Sequence, residues 1–192
     1  MKRYILWCCF LLLLLPALAG CARHRGPQSY VRPDFDFSFV KKVVILPFDN
    51  LTKEKSAGEH LRRVVINELL ASGLTDVVVS GDAGAAVKAA GAESTTTLLP
   101  DQINKIGKMF NAQAVLTGSV ERYEEPKGGS FAAPEVACSL IMYDTDSGSI
   151  IWAVSSSMGG ASFLTRHFGA RCDTLSEACE RVIRGSVKTL GK

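Results

Sequence analysis

The stretch VVILPF (residues 43–48) places six apolar residues in a row, three of them β-branched. A strand with one wet face alternates apolar and polar residues. An unbroken run signals a strand covered on both faces, as in a sheet with helices packed on it. The residues that follow agree with this reading. DNLTKE (49–54) is a loop, and Ser56-Ala57-Gly58-Glu59 has the spacing of a capping box at a helix start. Leu61, Val64, Val65 and Leu69 keep a helical stripe. Gly73 then fits a left-handed C-terminal cap, and DVVVS (76–80) is a second buried strand.

Further along, DAGAAVKAAG (82–91) reads as a helix of small residues and AESTTTLL as a loop. Pro100 suits a first helical turn. Ile103, Ile106 and Phe110 give that helix its apolar face, and Asn111 its left-handed cap. AQAVLTGSVERYEE (112–125) is a third strand. EVACSLIMYD (135–144) alternates, with Val136, Cys138, Leu140 and Met142 on one face. DTDSG (144–148) is a turn, and SIIWAVSSSM (149–158) the return strand, with Ile150, Trp152 and Val154 on one face. Thr174-Leu175-Ser176-Glu177 is a second capping box, opening a helix whose apolar side is Cys179, Val182, Ile183 and Val187. The expected fold is α/β, in the order β-α-β-α-α-β-β-β-α. A mixed sheet of about five strands, parallel in its first half and an antiparallel hairpin in its second, carries the helices.

Upstream of the run the chain changes character. FDFSFV alternates Phe35, Phe37 and Phe39, as a short strand or a segment packing on the body. Ala22 to Phe39 otherwise reads as a linker, with Pro27, Pro33 and three arginines and no helical period. Met1 to Gly20 reads as a secretory signal: Lys2-Arg3, an apolar stretch from Tyr4 broken by Pro16, then small residues up to Cys21. A spanning helix needs about 20 apolar residues, more than this run offers. Leu18-Ala19-Gly20-Cys21 resembles a bacterial lipobox, which implies cleavage before Cys21 and lipidation of its sulfur. More than one acyl chain gives a stable anchor. Ala22 in place of Asp implies the outer membrane, on the periplasmic side. The expected divisions are therefore a signal peptide (1–20), a lipidated N-terminus with linker (21–40) and a periplasmic α/β domain (41–192).

Composition limits function. Of 192 residues, 47% are hydrophobic and 21% charged, as in a globular protein. The net charge of +3 includes Lys2 and Arg3, so the body is near neutral and carries no basic footprint for nucleic acid.

Three segments together resemble the CsgG/LpoB family of envelope lipoproteins, whose fold resembles the N-terminal domain of TolB. They are VVILPFDNLT (43–52), IGKMFNAQAVLTGSVERY (106–123) and LIMYDTDSGSIIWAVSSS (140–157). The resemblance implies a lipid-anchored module that binds other envelope proteins, or copies of itself, in secretion, envelope assembly or peptidoglycan synthesis. Its pore-forming members need two long hairpins with strands of about 9–11 residues, which the short 124–134 loop and the tight 144–148 turn leave no room for. Its peptidoglycan-spanning members have a longer tether than this chain.

No catalytic or metal constellation emerges, so the expectation is a protein that is not an enzyme and needs no cofactor. His24, His60 and His167 lack ligand spacing. His167, Cys172 and Asp173 crowd within seven residues, whereas nucleophile partners usually meet through the fold. The serines lack a GxSxG context, and SGDAGAAVKAAG lacks phosphate-loop spacing. Cys138 reads as a buried thiol, and Cys172 with Cys179 as a candidate disulfide, since a periplasm permits one. Asp49, Asn50 and Thr52 lie beyond the end of a buried strand, where open α/β sheets place ligands; they form a candidate partner-binding loop, with local backbone bonding by Asn50 as the plainer reading. Tyr123, Phe131 and the linker aromatics are further candidates for a contact surface.

Overall fold

The computed structural model describes residues 26–78, 81, 83–125, 133–159 and 173–191. These build a mixed seven-stranded sheet with four helices packed on it. In chain order the elements are β1 (Gln28–Val31), β2 (Lys42–Ile45), β3 (Asp49–Asn50), α1 (Ala57–Ser72), β4 (Asp76–Val78), α2 (Ala83–Ala89), α3 (Pro100–Phe110), β5 (Ala114–Glu124), β6 (Glu135–Asp144), β7 (Ile150–Met158) and α4 (Leu175–Val187). Across the sheet the strands run β1-β7-β6-β5-β2-β4, with β3 also on β5. The β2–β4, β2–β5 and β3–β5 pairs are parallel. The β5–β6, β6–β7 and β1–β7 pairs are antiparallel.

The apolar run is buried on both faces over residues 43–46, as its composition requires, while Pro47 is exposed. Val43 and Ile45 join a core that includes Leu61, Val65 and Leu69 of α1 and Val182 and Ile183 of α4. Val44 and Leu46 join a second core with Val87 of α2 and Ile103 and Ile106 of α3. Val136, Cys138, Leu140 and Met142 all face the first core, as their alternation predicts. On the other side of β6 and β7, Ser139, Ile141 and Ala153 are partly exposed and Ser155 and Ser157 exposed.

Local signals account for most boundaries. Gly73 (φ 65°) and Asn111 (φ 49°) close α1 and α3 in the left-handed region. The Thr174 box forms in both directions: its N–H donates to Glu177 Oε2 (2.8 Å) and its Oγ1 accepts from the Glu177 N–H (3.3 Å). In the β6–β7 turn Gly148 sits at φ 67°, and a Cβ there would stand 2.5 Å from Cβ of Pro100. Backbone conformation and packing on α3 both demand glycine at that position.

Several expectations need correction. DVVVS does not form a buried strand: β4 ends the strand order, with Asp76 exposed and Val77 and Val78 half-buried. Ile150 is exposed, and it is Ile151 that joins Trp152 and Val154 in the first core, because the β6–β7 register shifts at Met142/Tyr143. The sheet has seven strands instead of about five. One addition is β3, two residues of the 49–54 loop that extend the β5 ladder. The other is β1, inside the stretch read as a linker: Gln28–Val31 pairs with Ser155–Trp152 at the sheet edge. Flanking prolines and polar residues hide it, because an edge strand buries little and needs little apolar content. The Phe35–Phe39 alternation is not a strand either. Asp36 accepts from the Ser38 N–H (2.8 Å) and caps a short 3₁₀ turn at Phe37–Phe39. Finally, Ser56 does not cap α1. It already has helical angles (φ −85°, ψ −8°), and its hydroxyl donates to Glu54 (2.8 Å), while Glu59 lies against Arg62 (3.5 Å).

Candidate functional site

The two regions singled out from sequence are the chain's N-terminal attachment and the 49–52 loop. Leu18, Ala19, Gly20 and Cys21 lie outside the described residues, as do His24, Phe131, His167 and Cys172. The description starts at Gly26, directly before β1. The Gln28 end of β1 lies beside Ser155, and Pro27 rests on Gly185 of α4. From β1 the chain turns into the aromatic segment. Phe35 and Phe37 pack on the core and meet edge to face at 5.1 Å, and Val40 is buried. Phe39 points outward, 72% exposed, as does Tyr30. A partly open apolar pocket of about 180 Å³ lies beside this segment, between Phe37, Val40, Leu74, Met142 and Leu190.

The loop brings Asp49, Asn50 and Thr52 together beyond the end of β2 and gives each an internal partner. Asp49 accepts from Thr95 Oγ1 (2.8 Å) and Ser94 Oγ (3.3 Å), which ties it to the loop before α3. Asn50 Nδ2 donates to the Glu54 carbonyl (2.7 Å), and Asn50 Oδ1 accepts from the Thr52 N–H (3.0 Å) and hydroxyl (2.8 Å). This is the local backbone bonding expected of Asn50. The close approach of α1 needs Gly58, where a Cβ would stand 3.1 Å from the Phe48 carbonyl. At the tip, Leu51 is 70% exposed.

The reactive side chains are quiet. Burial pushes the Cys138 thiol up to about 12, and the Cys179 thiol up to about 11. Both stay protonated, and so weakly nucleophilic, at neutral pH. Cys138 has the buried free-thiol environment its strand face predicts. Cys179 is also a buried thiol, and the proposed bridge falls on Cys172, outside the described residues. Tyr123, a candidate for the contact surface, is turned largely to the interior. It lies on β5, packs on the core, and its ring meets His60 at 5.9 Å; burial and neighbouring Cys179 raise its hydroxyl to about 12. Asp173 pairs with Arg181 (2.7 Å). Among the described residues no three His, Cys, Asp or Glu side chains gather as a metal site, and no helix is long and apolar enough to cross a membrane.

One polar device escaped the sequence reading. Arg62, on the buried side of α1, donates through Nε (3.3 Å) and Nη2 (3.1 Å) to the Ile45 carbonyl. It thereby ties α1 to the end of β2, just before the candidate loop. Its position within the apolar stripe was the available signal, since an arginine there must find an acceptor.

No protein-family model matches the chain, and no curated protein matches it. Solved structures do. A PelC dodecamer from Paraburkholderia phytofirmans matches with a TM-score of 0.62 at 19% identity, over 86% of this chain and 98% of that one. Lipoprotein GNA1162 from Neisseria meningitidis matches at 0.54 and 15% identity, over 79% and 98%. The LpoB C-terminal domain from Salmonella enterica is more distant, at 0.46 and 16% identity over 67% and 87%. At these identities the likeness establishes architecture alone: this chain shares the fold of the PelC and GNA1162 structures.

Proposed function

We propose that the protein is a lipid-anchored module of the bacterial envelope that works by binding proteins, copies of itself included, and not by catalysis. Cys21 is the first residue of the mature chain and carries the acyl groups. The outer membrane holds it, and the α/β body faces the periplasm. The observation that carries this reading is the lipobox-like spacing ahead of β1, which leaves six residues between Cys21 and the sheet edge. The shared fold supports it, since one of the similar structures is a lipoprotein. Confinement to a surface raises the effective concentration of the body for any partner held there. The loop carrying Asp49, Asn50 and Thr52 is offered as a contact surface: its internal bonds fix its shape, and Leu51 presents an apolar tip.

A Cys21→Ser chain is expected to lose radiolabelled palmitate and leave the membrane fraction; labelling that persists would sink the anchor. Crosslinking the native lipoprotein in cells, with and without Leu51→Asp, tests the contact surface. Identical adducts in both would remove the loop from it.

A second reading is a subunit of a CsgG-like oligomeric secretion complex in the outer membrane. The observation that favours it is that another similar structure is a dodecamer. Mass measurement of the detergent-solubilised lipoprotein separates the readings: a discrete ring supports assembly, and a monomer at every concentration excludes it.

A further inference from the structure

We propose that β1 is a releasable strap that sets how far the body can stand from its lipid anchor. This rests on the reading of Cys21 as the anchor. Among the described residues β1 holds the sheet through a single strand, β7. Gln28, Ser29 and Tyr30 are exposed, and only Val31 reaches the core, half-buried. The Arg32 N–H donates to the Ile151 carbonyl (2.9 Å). Antiparallel alternation then turns the Tyr30 and Gln28 amides toward β7 and those of Ser29 and Val31 toward water. Pro27 and Pro33 flank the strand and donate nothing.

Immediately downstream the character changes. Phe35 and Phe37 are packed, and Val40 is 4% exposed. The N-terminal segment thus has a weakly held half and a firmly held half, joined at Pro33-Asp34. Local opening starts where apolar burial is least. With β1 docked, the anchor stands at most about 20 Å along the chain from Pro27, at about 3.3 Å per residue. With β1 released and Phe35 still seated, the same count to Phe35 gives at most about 46 Å. Reach more than doubles while the rest of the sheet stays intact.

The test uses the lipidated full chain in nanodiscs of phosphatidylethanolamine and phosphatidylglycerol. Hydrogen exchange at the Gln28, Tyr30 and Arg32 amides is expected to run at least about 100-fold faster than at Leu140 and Met142 of β6. Exchange of both groups in one cooperative step would overturn the strap. Ser29 and Val154 face each other in a non-hydrogen-bonded pair, close enough for a disulfide. In the Ser29→Cys/Val154→Cys chain, oxidation is expected to raise energy transfer from Trp152, the one tryptophan after the signal segment, to dansyl lipid. Equal transfer before and after reduction also overturns it. Palmitate uptake is read on the same preparation: its absence rejects the anchor and the reach with it, whereas absent exchange contrast with normal uptake rejects the strap alone.

Discussion

Trp152 is among the largest fully buried side chains, and its indole N–H has one partner, Thr189 Oγ1 at 2.9 Å. That hydroxyl in turn donates to the Ser186 carbonyl (2.7 Å). Thr189→Val keeps the shape and leaves a buried donor unmet, so it should cost about 1–3 kcal/mol in urea unfolding, while Thr189→Ser stays near the parent. Alternation placed Trp152 and Val154 on the core face but also Ile150, which is exposed while Ile151 is buried. The partner of Trp152 was not readable, because it arrives from the far end of the chain. Cys138 makes a second residue-scale case. Its thiol is raised from the ordinary 9.0 to about 12. A group raised on folding contributes stability that is complete below the unfolded value, so it is lost as pH climbs from about 9 toward 12. Cys138→Ala should therefore make the stability–pH curve shallower in that window, by up to about 1.4 kcal/mol per pH unit. Parallel curves for the two chains would refute this.

Two identical sequence signals, Ser-x-x-Glu and Thr-x-x-Glu, behave differently as elements. Thr174 is extended (φ −74°, ψ 163°) and caps α4, whereas Ser56 is already helical and caps nothing. Removing a working N-cap costs about 1 kcal/mol. Thr174→Ala should therefore lower the urea midpoint by a corresponding amount, and Ser56→Ala by less than half as much. Equal losses would mean that Ser56 caps in solution. The difference was illegible from spacing, since it depends on how the chain enters the helix. At Ser56 a turn closes first, with the Ala57 N–H on the Glu54 carbonyl (3.1 Å). Strands β1 and β3 were missed for a related reason. Each is short and takes its pairing from a neighbour far away in sequence, so no local period marks it.

On the scale of the whole molecule, the mixed sheet was legible because each half carries its own signature. The unbroken apolar run at 43–48 demanded cover on two faces, and the alternation at 135–158 demanded cover on one. Strand order across the sheet was not legible, because β2 lies between β4 and β5 through contacts no local pattern records. The candidate loop could be located, but the bonds from Ser94 and Thr95 to Asp49 come from a distant segment. If the anchor lies outside the fold, as proposed, its loss should not be felt by the core. Cys21→Ser is then expected to keep the thermal midpoint of the body within about 1–2 °C, while a core change such as Leu116→Ala lowers it by several degrees.

Pairing of β1 with β7 also bears on the order in which the protein is made. β1 precedes the other described strands in the chain and is joined to β7, which follows them, so its partner edge exists only once synthesis has passed Met158. Long-range closures of this kind come late in folding, after the local β5–β6–β7 meander. A chain truncated before β7 would leave β1 without this partner. A docked β1 therefore reports that β7 has been made and has taken its place in the sheet.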